Sequence, residues 1–137
     1  MKSTYSTLLQ SKYFNPAFNS AIFDGPVRIY FSQFHESLAL KIYFSLQQEL
    51  AGQMAEAKVI HKQSGRNILV MLYPSQESFQ MSFEGQNSLL VKDQLDGDNL
   101  IGINGPFEDG QLPEVINAIS DSISNWTFKP AIEASLL

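Results

Sequence analysis

Apolar residues recur at helical spacing between Gln33 and Gln53. Stepping about 100° per residue puts Leu38, Ala39, Ile42, Tyr43, Leu46 and Leu50 on one continuous arc, the inward face of a core helix. Leu40, Phe44 and Ala51 fall beyond that arc on a flank, set apart by Glu36 and Gln47. The apolar surface is therefore wider than one sheet covers, and the excess calls for a second cover. Before this helix, Val27–Phe31 alternates, with Val27, Ile29 and Phe31 on one face and Arg28 and Tyr30 on the other, as a strand does. Ser32 is placed to cap the helix, and Glu36 lies in its first turn, where the helix dipole favours an anion.

The segment after Gly52 predicts a strand from about Lys58 and a hairpin turn at Ser64-Gly65. Ile68–Leu72 has no polar position and predicts a central strand buried on both faces. Ser78–Glu84 alternates Phe79, Met81 and Phe83 with Gln80, Ser82 and Glu84, the pattern of an antiparallel strand with one wet side. Short strands follow at Ser88–Lys92 and Leu100–Ile103, separated by a turn at Asp96–Asn99. Leu112, Val115, Ile116, Ile119, Ile123 and Trp126 then mark a second helix packed on one side, which Lys129-Pro130 is expected to stop.

These elements predict an α+β fold in a single domain spanning residues 1–137: strand and helix, an antiparallel meander of about five strands, and a C-terminal helix packed on the sheet. Residues 127–137 are read as a C-terminal tail. Residues 1–25 form an arm with a short helix near Thr4–Tyr13, broken at Asn15-Pro16. Tyr5, Tyr13, Phe14, Phe18 and Phe23 are more aromatics than a disordered segment carries, so the arm is expected to lie over the domain or over a partner subunit.

Composition narrows the function classes. An apolar fraction of 44% over 137 residues suffices for a core without metals or disulfides. There is no cysteine, which excludes a disulfide framework, a thiolate zinc site and a cysteine nucleophile. No signal-peptide core and no membrane-span-length apolar run occur, so a cytoplasmic protein without membrane contact is expected. Residues 1–66 hold seven Lys or Arg against four Asp or Glu, and residues 67–137 hold two against ten, so the halves carry +3 and −8 of the net −5. That balance argues against nucleic acid as a partner. Lys58, Lys62 and Arg66 are read as a solvated strand edge rather than a basic patch.

Candidate chemistry is sparse. His35 and His61 belong to no metal-ligand spacing, and one histidine per element is the common structural case. Asp93, Asp96 and Asp98 lack the order and distal glutamate of a calcium loop. No phosphate-binding glycine loop and no nucleophile elbow is present. No cofactor or metal is expected, and no catalytic residue can be named. Two readings remain. The first is a non-enzymatic binding, regulatory or adaptor module, a homodimer whose first helix and arm make protein contacts through Phe18, Leu40, Phe44 and Ala51. The alternative is a small-molecule-binding or enzymatic domain with a pocket between the first helix and the sheet, where His35, Tyr43 and His61 are the polar groups.

Overall fold

The computed structural model describes the backbone of residues 4–136 and the side chains as far as Trp126. Its elements are α1 (Thr4–Leu9), β1 (Ser20–Asp24), β2 (Val27–Phe31), α2 (Glu36–Glu49), α3 (Ala51–Ser64), β3 (Ile68–Leu72), α4 (Gln76–Ser82), β4 (Leu90–Leu95), β5 (Asp98–Ile103) and α5 (Leu112–Leu136). A single 3₁₀ turn precedes each of α2 and α5, at Gln33–His35 and Asp109–Gln111. The five strands form one sheet in the order β1-β2-β3-β5-β4. The α+β class, the five-stranded sheet and the C-terminal helix packed on it are as the sequence predicts.

The connectivity differs from a meander. β1–β2 and β4–β5 are antiparallel hairpins, whereas β2–β3 and β3–β5 are parallel. The cause is that the whole segment between β2 and β3 is helical, and a helical crossover returns the chain in the same direction. The strand expected from Lys58 is the second half of α3, whose Met54 and Ala57 are buried three residues apart. Ala, Glu, Lys and Gln dominate this stretch, and all are strong helix formers. The single long helix is in fact two, divided at Leu50, whose φ of −117° interrupts the helical path. Two 14-residue helices end to end would span about 42 Å, far beyond a five-residue strand of about 17 Å, so the bend lets both lie on the sheet.

Gly65 is the left-handed cap that ends α3, with φ +72° and its N–H donated to the His61 carbonyl, rather than a hairpin turn. A Cβ there would meet nothing within 4 Å, so the position is set by backbone conformation alone. Gly65→Ala is expected to cost about 1 kcal/mol in urea unfolding with an unchanged m-value.

Ser78–Glu84 also changes class, since Gln76–Ser82 is helical. Ser75 and Ser78 form a reciprocal capping box at its start. Residues i and i+4 share a side in either periodicity, so Phe79 and Phe83 are inward in both readings. Met81 and Ser82 discriminate: Met81, inward in a strand, is 79% exposed, and Ser82, outward in a strand, is buried. At the C-terminus, the backbone of α5 continues through Pro130 to Leu136, where a tail was expected. Proline's fixed φ is compatible with a helix, and its cost is a lost hydrogen bond and some crowding. Among the described residues, no helix is long and apolar enough to cross a membrane.

The sheet is covered on both faces. On one face Val27, Ile29, Phe31, Ile68, Val70, Leu72, Ile101 and Ile103 pack beneath α2, α3 and α5. Trp126 closes this core at the far end of α5's described side chains, and its indole N–H donates to Asn99 Oδ1 at 2.8 Å. On the other face Leu69, Met71 and Leu100 lie under the arm and α4. Tyr73, Phe79 and Phe83 cluster there, and Gly102 gives the Phe83 ring room to lie on β5 because any Cβ would occupy its place.

The arm is held by hydrogen bonds as well as packing. The Tyr73 hydroxyl donates to the Tyr13 carbonyl, Ser82 Oγ to the Lys12 carbonyl, and the Tyr13 hydroxyl to Asp93. Burial, then Asp93, pushes the Tyr13 phenol from 10.0 up to about 12, and burial pushes Tyr73 up as well. A phenol whose proton is held more tightly in the folded state stabilises the fold below its ordinary pKa and ceases to do so as pH rises through the folded one. The thermal midpoint is therefore expected to fall between about pH 10 and 12. Circular dichroism should show a shallower fall in Tyr13→Phe.

Candidate functional site

The predicted residues separate onto different parts of the molecule. Ala39, Ile42 and Leu46 are fully buried, so α2 sits directly on the sheet. Its flank remains open: Leu40 is half-buried, Phe44 is 52% exposed and Ala51 is exposed. Phe18 does not join them. It is buried on the opposite face of the sheet, with its ring centroid 5.1 Å from that of Tyr73. The arm thus lies over its own domain.

His35, Tyr43 and His61 do not converge. His35 follows the C-terminal end of β2, whereas His61 precedes the N-terminal end of β3. Those strands are parallel, so the two histidines lie toward opposite ends of the sheet. His61 Nδ1 is 2.8 Å from the Arg66 carbonyl, a structural contact at the end of α3. Tyr43 accepts from Gln47 Nε2 at 2.6 Å within α2. Among the described residues, no group of three or more His, Asp or Glu is placed to hold a metal ion.

What the structure does bring together lies at the β1 edge. Lys41 pairs with Asp109 just before α5, which fixes the side of α2 that faces α5. Around the helix, Phe44, three residues after Lys41, points away from the sheet, whereas Tyr43 and Leu40 lie on the other side of the buried stripe from Lys41. Below them runs the free edge of β1, and beneath the sheet are Ala21 and Phe23, the latter 61% exposed.

The two edges of the sheet are built differently. β4 carries a lysine and an aspartate at the surface, Lys92, which pairs with Asp121 at 3.2 Å, and Asp93, which accepts from Tyr13, with Gln94 beside them. Charged edges of this kind discourage pairing with another chain. β1 has no proline, no lysine and no arginine within it, and its one charge, Asp24, pairs with Lys58 at 3.3 Å. Its edge is unguarded.

Under the β1–β2 hairpin lies an open hollow of about 420 Å³, lined by aromatic rings and by Arg28. Tyr5 stacks on Tyr30 with centroids 6.3 Å apart, Phe23 meets Tyr30 edge-on at 6.1 Å, and the Arg28 guanidinium lies 4.9 Å from the Phe23 ring centre. Tyr30 is only 3% exposed, yet neither its hydroxyl nor Arg28 Nε has a hydrogen-bond partner of good geometry. Burial raises the Tyr30 phenol, hydrogen bonding from the Arg28 side chain and its charge oppose that, and Tyr5 and Asp98 add to the rise.

The alternation of β2 already placed Arg28 and Tyr30 on one face. Their importance was not legible, because Ser20–Asp24 did not read as a strand and the arm's path over the sheet was unknown.

No protein-family model matches the chain, and neither a curated protein nor a solved structure matches it.

Proposed function

We propose that the protein is a non-enzymatic binding module that acts as a homodimer, with two copies joined through the β1 edge and the outer flank of α2. The observation that supports this reading is the contrast between a charged β4 edge and a β1 edge without lysine, arginine or proline, on the side of α2 that carries Leu40 and Tyr43.

A second copy is the occupant that β1 itself suits. The two-residue Gly25-Pro26 turn makes Asp24 and Val27 the hydrogen-bonded pair closing the hairpin, so alternation points the backbone groups of Ala21 and Phe23 outward. These outward positions are symmetric about Ile22. An antiparallel pairing with Ile22 on the two-fold axis sets Ala21 opposite Phe23 of the second copy, a small residue facing a large one, and repeats the match in reverse. No unpaired like charges meet along the strand, and the α2 flanks approach each other above it.

Hydrogen exchange tests this pairing. The Ala21 and Phe23 amides should be protected at protein concentrations that favour the dimer and exchange freely on dilution. Rapid exchange of both amides in a sample whose mass is dimeric would show that β1 is not the joint.

A further inference from the structure

We infer that the hollow beneath the β1–β2 hairpin is a binding site for a carboxylate carried on an apolar, preferably aromatic, body. Arg28 and Tyr30 stand two residues apart on the same face of β2 and both line the hollow; the Arg28 side chain reaches the Tyr30 oxygen, which leaves Arg28 Nε and the Tyr30 O–H as donors without an acceptor. Buried donors left unmade are costly, and one acceptor-only group reaching both would satisfy them. A carboxylate is such a group, and its planar pair of oxygens matches the guanidinium fork.

The surroundings select the anion and its body. Among the described residues, Arg28 is the only charged side chain lining the hollow. Asp98 feels the Arg28 charge, but its carboxylate already accepts from the backbone N–H of Asn67 at 2.9 Å. The walls from Tyr5, Phe23 and Tyr30 offer ring faces and edges to an aromatic group. The hollow's volume of about 420 Å³ lies in the range of small-molecule sites. The hollow shares Ala21 and Phe23 with the proposed joint, so ligand binding and mass are read separately on the same samples, and the Arg28 and Tyr30 variants test the site alone.

The same chemistry is offered by a free aromatic acid and by the C-terminal end of a peptide. Benzoate and N-acetylphenylalanine represent these two sources, and benzyl alcohol is the neutral control, each titrated into the ¹⁵N-labelled full chain by NMR. Saturable shifts centred on the Ala21–Tyr30 amides are expected with at least one acid, and weaker binding with the alcohol. The acid that binds more tightly identifies the source. Arg28→Gln should weaken that acid at least about tenfold, with Arg28→Lys intermediate because it keeps the charge without the fork. Tyr30→Phe should weaken it severalfold while leaving the fold intact, which keeps the test usable if an Arg28 variant fails to fold. Absence of saturation by either acid, equal binding of the alcohol, or undiminished affinity in the variants would overturn the assignment. The light-scattering mass read on the same samples reports the dimer independently.

Discussion

Phe79→Ala is expected to destabilise the protein by about 3–5 kcal/mol, measured by urea unfolding. The ring is fully buried beneath the sheet and contacts Tyr73 and Phe83 at centroid distances of 5.8 and 5.0 Å. Removing it empties the centre of the aromatic cluster that joins α4 to the sheet, and the arm packs against that cluster through Phe18 and Tyr13. Against a total stability of about 5–15 kcal/mol, the loss is about a fifth or more of what holds a typical domain folded. Met81→Ala in the same helix should cost less than about 0.5 kcal/mol, because Met81 lies on the solvent side. The pair separates helix from strand: in a strand, Met81 would share the buried side with Phe79 and the two costs would be comparable.

Phe23→Lys and Phe44→Glu are each expected to turn the dimer into a folded monomer, with association weakened on the order of a hundredfold or more. Each substitution acts twice, once per copy, on a two-fold contact. Both side chains are largely exposed, at 61% and 52%, so neither change should disturb the core. Phe23→Lys sets a hydrated charge where the ring would lie on Ala21 of the second copy, and Phe44→Glu brings like charges together across the α2 flanks. Gln94→Lys on β4 is the matched control, an added charge at the opposite sheet edge that should leave the mass unchanged. Unchanged dimers in both Phe23→Lys and Phe44→Glu would remove the proposed joint.

Legibility tracked the physical signal. β3 was readable because five consecutive apolar residues admit only burial on both faces, and all five are buried. α5 was readable over its first four turns because its apolar spacing extends well beyond the ambiguity of a single i, i+4 pair. α4 was not, because a seven-residue helix with inward Phe79 and Phe83 looks like a strand until the side taken by Met81 is known. α3 was missed because local alternation at Val59 and His61 competed with strong helix formers around it, and the misread reversed the direction of β3 relative to β2. The open flank of α2 was visible in the wheel of its side chains. The hollow was not, since it forms only where the arm's Tyr5 meets Phe23 of β1 and Arg28 and Tyr30 of β2. Such a juxtaposition of segments far apart in the chain leaves no local pattern.

The mass of the wild-type protein in solution, by light scattering over a concentration series, tests the central proposal most directly. The account predicts twice the chain mass of 15.4 kDa, with dissociation only on dilution. A mass of 15.4 kDa that persists at the highest concentrations would contradict it, leaving the unguarded β1 edge and the α2 flank without the partner proposed for them.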